Sequence, residues 1–136
     1  GLAGGGTAAL MAVALGWALG LPDDVVRSLA PKSITAPVAM GVAEKIGGVP
    51  ALSAVFAVLT GLVGALSGKY LFGWIGIGTD RLGWMARGFA LGTASHGIGA
   101  SRALSVQADA GAYAGLALGL QVLLGALLIP LVARLF

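Results

Sequence analysis

Charged residues are confined to particular blocks of this chain, and long apolar blocks separate them. Residues 1–22, 46–68 and 110–133 contain no charged side chain, over 22, 23 and 24 positions. Since an α-helix rises about 1.5 Å per residue, each block can cross the roughly 30 Å hydrocarbon core of a membrane. The pattern therefore predicts three continuous transmembrane helices.

Two blocks of another kind, residues 23–48 and 80–109, hold every charged residue except Lys69 and Arg134. Both remain rich in apolar residues, so we expect each to form a helix that is broken near its middle or re-enters the membrane. The predicted fold class is an all-α, polytopic integral membrane protein with about five transmembrane segments, two of them discontinuous.

The first charged block contains signals for a helix start and a helix break. Asp23 and Asp24 favour a helix start, since carboxylates are stabilised at the positive end of the helix dipole. Pro31 and Pro37 each remove a backbone donor and displace the preceding residue from helical geometry. The prediction is two half-helices joined by an unwound segment at residues 32–36.

The second charged block predicts a break around Ser95 and His96, because Gly92, Gly97 and Gly99 flank this pair. Glycine weakens the interior of a helix. We therefore expect the helix to be interrupted at Ser95-His96.

A weak internal repeat relates the two broken segments. The Gly-Ala-Leu sequence at 64–66 recurs at 125–127, a shift of 61, and the same shift places residues 33–36 over 94–97. Paired discontinuous helices in two repeats are typical of a transporter whose binding site lies at the membrane midplane.

The composition excludes an ordinary water-soluble domain. Hydrophobic residues make up 58% of the 136 residues and charged residues 10%, against roughly 25% charged in soluble domains. The length suits a single domain over residues 1–136.

With no cysteine and a single histidine, we expect neither a metal site nor a cofactor. We expect no signal peptide before the first apolar block, and we expect the chain to begin within a longer protein.

The net charge of +3 comes from eight Lys and Arg residues that are scattered singly. Nucleic-acid binding needs clustered basic residues that neutralise neighbouring phosphates, so this distribution predicts membrane orientation instead. The basic residues place three segment ends on the cytoplasmic side: Lys69, Arg81 and Arg134. With five crossings Arg27 also lies inside, whereas Lys45 and Arg102 lie outside; a re-entrant segment would change these orientations.

Pairs of small residues along the apolar blocks indicate close helix packing. Gly16/Gly20, Gly61/Gly64 and Gly115/Gly119 each lie three or four residues apart, a spacing that brings membrane helices into contact. If the protein instead acts with a membrane partner, changes on the Gly61/Gly64 face should alter complex formation.

Polar groups around the first break form a candidate anion site. A Lys at membrane depth costs roughly 2.5 to 3.5 kcal/mol and needs a compensating role. Lys32, Ser33 and Thr35 would present a cation and two hydroxyls, and the half-helix beginning near Pro37 would add its positive dipole end. This combination favours a carboxylate. The alternative is that Lys32 reaches an interface while Ser33 and Thr35 cap the following helix.

His96 is the candidate proton-coupling residue, with Thr93 and Ser95 before it and Arg102 two turns later. Its ordinary pKa of about 6.5 lies within the physiological range. The alternative is a neutral histidine that is hydrogen-bonded between helices. Gln121, in an uncharged helix, is a possible accessory group, either in an interhelical hydrogen bond or lining a cavity.

Enzyme functions are not supported by the pattern. Adjacent Ser95 and His96 do not face each other as a nucleophile and its base must, and no nucleophile elbow is present. The Gly-rich segments at 1–6 and 72–78 lack the strand-to-helix context of a dinucleotide site. We predict no catalytic residues.

Two long motifs resemble a known family. SLAPKSITAP at 28–37 and ARGFALGTASHGIG at 86–99 strongly resemble the LrgB/CidB/YohK family of bacterial membrane proteins, whose plant relative is the plastidial glycolate/glycerate translocator. The resemblance covers about Leu10 to Pro130. It implies a multi-pass protein of the bacterial inner membrane, of which this chain is the C-terminal portion without the N-terminal helices.

The function that the resemblance implies is divided. Some members are holin-like or antiholin-like modulators of murein hydrolase export and lysis, acting with an LrgA/CidA-type partner; others transport monocarboxylates such as glycolate, glycerate or pyruvate. The polar residues at the breaks favour transport. We therefore expect a carrier in the lipid bilayer that forms a homo-oligomer, with Lys32 and His96 converging within roughly 10 to 12 Å on a shared cavity.

Overall fold

The computed structural model describes residues 2–135, and within this range all the regular secondary structure is α-helical. Its six helices are α1 (Leu2–Ala18), α2 (Asp23–Leu29), α3 (Ala36–Ile46), α4 (Pro50–Trp74), α5 (Arg81–Val106) and α6 (Ala108–Ala133). The predicted all-α class is confirmed. Gly1, the first residue of the apolar block 1–22, lies outside the described residues.

Two helices are long and apolar enough to span a membrane, α4 with 25 residues and α6 with 26. Only 22% and 17% of their most apolar windows are buried within the protein, whereas the core helix of a soluble protein is buried over most of its length. Large side chains such as Leu66 and Leu127 are exposed and are suited to lipid. The predicted third continuous span is shorter, since α1 has 17 residues, and five full crossings are not confirmed.

Residues 23–46 form hairpin one, whose two arms are separated by an unwound segment. Helix α2 begins at Asp23 as predicted, and α3 begins at Ala36, the last residue of the predicted unwound segment. The chain then returns to α2, because the backbone N–H of Val49 donates to Ser28 Oγ at 2.7 Å. The first predicted break is therefore confirmed, and it lies at the turn of a helical hairpin.

Residues 81–106 form hairpin two, although its helical assignment is continuous. His96 has φ 40° and ψ −132°, which is non-helical. A Cβ on Gly99 would lie 2.5 Å from the carbonyl oxygen of Leu91, eight residues earlier and about 12 Å away along a straight helix. Arg81, at the start of this segment, also lies 3.8 Å from Asp109, beyond its end. The chain thus folds back at His96.

Hairpin two packs against α6 at backbone contact. A Cβ on Gly88 would overlap the carbonyl of Ala110, and one on Gly92 would overlap the carbonyl of Ala114. The matched steps of four residues show that the first arm, residues 81–95, runs parallel to α6. Glycine is required here because any side chain would push the two backbones apart.

Helix α4 connects the bases of the two hairpins. It begins four residues after Ile46 and ends at Trp74, shortly before Arg81. It runs antiparallel to the first arm of hairpin two, since Gly64 lies against Ser95 and Gly68 against Leu91. The hairpins therefore enter from opposite ends of α4, which we call the Pro50 end and the Trp74 end.

The arrangement agrees with the predicted repeat. A shift of 61 carries α3, residues 36–46, onto 97–107, and the return arm of hairpin two is residues 97–106. Each unit is a hairpin followed by a long helix, and the long helices α4 and α6 run in opposite directions. The two units are thus inverted relative to each other, as in many transporters.

The re-entrant hairpins correct the predicted topology. Because hairpin two turns back to the Trp74 end, Arg102 lies at that end with Lys69 and Arg81. Helix α6 then runs to the Pro50 end, where Arg134 lies. The predictions that Arg134 shares a side with Lys69 and Arg81, and that Arg102 lies opposite them, are wrong. They assumed that hairpin two crosses the membrane.

Candidate functional site

The turns of both hairpins reach the middle of the helical bundle. His96 Nε2 donates to the carbonyl oxygen of Ala57 on α4 at 2.6 Å. Ile34, in the turn of hairpin one, belongs to the same buried cluster as Ala57. Two segments that are distant in sequence are thereby brought to one region.

Helix α6 passes both turns. A Cβ on Gly125 would lie 2.7 Å from Ile34 Cγ2, which places the turn of hairpin one at Gly125. The first arm of hairpin two runs beside α6 from Ala110 through Ala114. Gln121 lies on α6 between Ala114 and Gly125, and its side chain is buried, at 6% exposure.

The turn of hairpin one combines a cation with a hydroxyl. Pro31 and Ser33 are buried and Lys32 is half-buried. Lys32 Nζ donates to Ser33 Oγ at 3.3 Å, so the ammonium group stays beside the turn. Thr35 precedes α3 in extended geometry and its side chain makes no capping hydrogen bond, while Pro37 lies in the first turn of α3. Thr35 thus occupies the N-cap position of α3 without the side-chain bond that the capping alternative requires.

The turn of hairpin two holds a buried hydroxyl and a fixed imidazole. Ser95 is fully buried, and its Oγ has no hydrogen-bond partner among the described residues. Since a carbonyl oxygen only accepts, His96 Nε2 carries the hydrogen of the bond to Ala57. Nδ1 is then the nitrogen that can accept a proton. Gly97 follows the break, and Gly99 allows the return arm to approach the first arm.

The positive φ of His96 is a second indication that this residue belongs to a functional site. The conformation is strained for any residue with a Cβ, at a cost of about 1–3 kcal/mol, and His96 is the only non-glycine residue with positive φ between residues 2 and 135. The imidazole is held in place by its bond to Ala57 despite this cost. Such strain is concentrated at functional sites.

A partly enclosed cavity of about 80 Å³ lies between α1, the turn of hairpin one and α6. Its polar wall is formed by Ser33 and Gln121, and Gly5 and Ala9 contribute from α1. Gln121 Oε1 is buried without a hydrogen-bond partner in the part of the chain that the structure describes. Of the two alternatives for Gln121, the structure supports the lining of a cavity.

Other predicted site residues lie apart from this cavity. Neither Lys32 nor His96 lines it, so their convergence on a shared cavity stays a prediction. Thr93 donates its hydroxyl to the carbonyl of Phe89 at 2.9 Å, within its own helix. Arg102 is exposed near the base of hairpin two. The predicted binding roles of Thr93 and Arg102 stay predictions.

The Gly61/Gly64 face is occupied within the chain. A Cβ on Gly61 would lie 2.6 Å from His96 Cε1, and one on Gly64 would overlap Ser95 Oγ. These glycines admit the turn of hairpin two against α4. The predicted close packing at these glycines is confirmed, and it is made within the chain.

Arg87 has a structural role that its sequence context did not predict. Its guanidinium lies 5.6 Å from the centre of the Phe72 ring and 5.2 Å from that of Trp84, and it donates to the carbonyl of Ile77. Arg87 thereby holds the loop at the Trp74 end against the base of hairpin two. Its place in the motif at 86–99 was the available signal.

Ser28 was also missed, although it begins the first motif. Its hydroxyl donates to the carbonyl of Asp24 and accepts from Val49, and its carbonyl accepts from Ser53 Oγ at 2.6 Å. These bonds fasten the base of hairpin one to the start of α4. The available signal was its place at the start of the motif at 28–37.

Comparison with known proteins gives a consistent result. The model of the LrgB-like family matches residues 1–135. The uncharacterized protein YxaC of Bacillus subtilis is 37% identical over 119 residues, covering 88% of this chain and 50% of that protein. The holin-like protein CidB of Staphylococcus epidermidis is 32% identical over 117 residues, covering 86% and 49%. The chain spans about half the length of these relatives. No solved structure matches it.

Proposed function

The chain belongs to the LrgB-like family, and from this membership and the two opposed hairpins we propose that it carries small monocarboxylates across the bacterial inner membrane. The substrates would be acids of the glycolate, glycerate or pyruvate type. The observation that carries the proposal is the meeting of two broken, re-entrant segments, one from each end of α4, with polar residues at their turns. In transporters such segments build the substrate site.

Hairpin one supplies the attraction for the anion. Lys32 would pair with the carboxylate, and Ser33, which already bonds Lys32 at 3.3 Å, would orient it. Helix α3 begins directly after this turn, so the unpaired N–H groups of its first turn add positive potential. Thr35 would contribute its hydroxyl at the same point.

Hairpin two supplies proton coupling. His96 Nε2 is bonded to Ala57, which orients the ring and reserves Nδ1 for a proton. Ser95 Oγ, buried and without a partner within residues 2–135, is available to a substrate oxygen. Protonation of His96 would add a positive charge when an anion binds, so that anion and proton cross together.

The opposed hairpins provide a physical route for alternating access. Each turn is reached from a different membrane face, and small displacements of one hairpin against α4 and α6 would open the site to one side at a time. The inverted relation of the two units gives the outward and inward states similar geometries.

The names of the relatives favour a second function. CidB is named a holin-like protein, and by this likeness the chain would modulate murein hydrolase export and lysis together with an LrgA/CidA-type membrane partner. The names support this function at least as well as they support transport. Against it stands the buried polar chemistry of the two turns, for which an unselective lesion has no use.

The test is uptake of labelled glycolate and pyruvate into proteoliposomes that contain the full-length protein. We expect Lys32→Ala and His96→Ala each to reduce uptake at least tenfold. The matched control is Lys45→Ala, which removes an exposed lysine at the base of the same hairpin and should leave uptake unchanged. Uptake that is equal in all four proteins would refute the assigned roles. Lysis that responds to loss of the protein but not to Lys32→Ala would favour the holin-like function.

A further inference from the structure

We infer that the cavity between α1, hairpin one and α6 holds the carbon chain of the transported acid and limits its length. The inference rests on the proposed carrier function. It concerns a part of the molecule that Lys32 and His96 do not line, and it assigns the selection of substrate size to α1 and α6.

The size of the cavity suits very short acids. Its volume is about 80 Å³, well below the roughly 300–1,000 Å³ of pockets for larger organic ligands. A cavity of this size favours a short, unbranched acid.

The polarity of the cavity gives the bound acid a direction. Ser33 and Gln121 are its polar lining residues, whereas Leu124, Leu128 and Ile129 form apolar walls on α6. Lys32 lies directly behind the polar wall, since its Nζ is 3.3 Å from Ser33 Oγ. A carboxylate at Ser33 would thus be stabilised by Lys32, and the attached carbon atoms would extend along α6.

The unpartnered amide of Gln121 indicates that the cavity is made for a ligand. An unsatisfied buried acceptor destabilises a protein, and Gln121 Oε1 is such an acceptor among residues 2–135. Its position on the cavity wall allows a hydrogen-bond donor inside the cavity to satisfy it. Water can serve when the site is empty, and a hydroxyl of the substrate can replace it.

Small residues on α1 set the opposite wall. Gly5 and Ala9 line the cavity, and a Cβ on Gly5 would overlap the Gln121 side chain. The width of the cavity therefore depends on the distance between α1 and α6 and on the size of the residues between them. Changing one wall residue should change the longest acid that is accepted.

The test compares uptake of unbranched monocarboxylates with two to six carbon atoms by the full-length protein in proteoliposomes. Leu124→Ala enlarges the cavity, and we expect it to raise uptake of four- and five-carbon acids relative to the two-carbon acid, by about fourfold for each added methylene. The control is Leu127→Ala, the same change at a side chain 71% exposed on the outer face of α6.

A second pair of variants narrows the cavity. Ala9→Leu should lower uptake of three-carbon acids at least fivefold relative to the two-carbon acid, whereas Ala14→Leu, on an exposed position of the same helix, should not. This pair keeps the inference testable if Leu124→Ala does not fold, which elution as a single species in detergent would reveal.

The outcomes separate the inference from the function on which it rests. If uptake persists but neither Leu124→Ala nor Ala9→Leu differs from its control in chain-length preference, the inference is overturned and the carrier function stands. If the wild-type protein takes up no monocarboxylate, both are overturned.

Discussion

The two hairpins solve the same structural problem by different means. Hairpin one turns over six residues, 30–35, which include Pro31 and end two residues before Pro37. Its residues keep ordinary backbone geometry, as Thr35 does with φ −60°. Hairpin two turns at the single residue His96, whose φ is 40°. Proline prevents a helix locally, whereas a strained histidine persists only because surrounding contacts hold it. The first turn is thus encoded in neighbouring residues and the second in packing.

The largest expected effect is at the glycines that bring hairpin two onto α6. Gly92→Val would place side-chain atoms against the Ala114 carbonyl, and since a backbone cannot move aside cheaply, we expect a loss of about 3 kcal/mol or more. The measurement is the free energy of unfolding in detergent. The control is Gly119→Val on α6, where a Cβ meets open space. Equal stability of the two variants would mean that hairpin two does not pack at backbone contact.

Hairpin one depends instead on hydrogen bonds at its base. Ser28→Ala would leave the N–H of Val49 without its partner at 2.7 Å, for an expected loss of about 1–3 kcal/mol. The control is Ser67→Ala, because Ser67 bonds only the carbonyl of Val63 in its own helix. Unfolding in detergent compares them, and a Ser28→Ala protein as stable as Ser67→Ala would contradict the proposed fastening.

A smaller effect distinguishes strain from bonding at His96. Both His96→Ala and His96→Gly lose the bond to Ala57, but only glycine adopts φ 40° without strain. We expect His96→Gly to be more stable than His96→Ala by about 1 kcal/mol. At Thr35, where φ is negative, the glycine variant should be the less stable one. The same order at both positions would show that the two turns do not differ in strain.

The smallest effect is expected for the ion pair beside hairpin two. Arg81 and Asp109 are 3.8 Å apart and largely exposed, at 82% and 43%, and such pairs contribute about 0–1 kcal/mol. Asp109→Ala should therefore change the free energy of unfolding by less than about 0.5 kcal/mol. This difference from the wild-type protein should disappear in high salt, which screens exposed charges. A change above 2 kcal/mol would show that the base of hairpin two rests on charge rather than on backbone packing.

Local chemistry explains which elements could be predicted from the sequence. The start of α2 at Asp23 and the break between Pro31 and Pro37 were predicted, because dipole and proline effects act within a few residues. The long apolar helices α4 and α6 followed from uninterrupted hydrophobic blocks. The interruption at His96 was placed correctly, although its neighbours do not show that the chain reverses there.

The candidate site residues show the same difference between local effects, which could be predicted, and tertiary contacts, which could not. Lys32, Ser33 and His96 stood out because polar groups are rare in apolar segments. Arg87 and Ser28 did not stand out, since their importance comes from contacts with Phe72 and Val49, which are distant in sequence. The cavity beside Gln121 depends on how closely α1 approaches α6, which no spacing along the chain expresses.

By itself the sequence determined that this protein is helical, that it faces lipid, and that two segments with polar residues interrupt the apolar pattern. These properties follow from hydropathy and from residues that act on their immediate neighbours. Tertiary structure alone decided that both segments turn back, that they enter from opposite ends, and that Arg134 and Arg102 exchange sides relative to expectation. The physical reason is that a re-entrant hairpin and a crossing helix have the same length and polarity, and only contacts with α4 and α6 distinguish them.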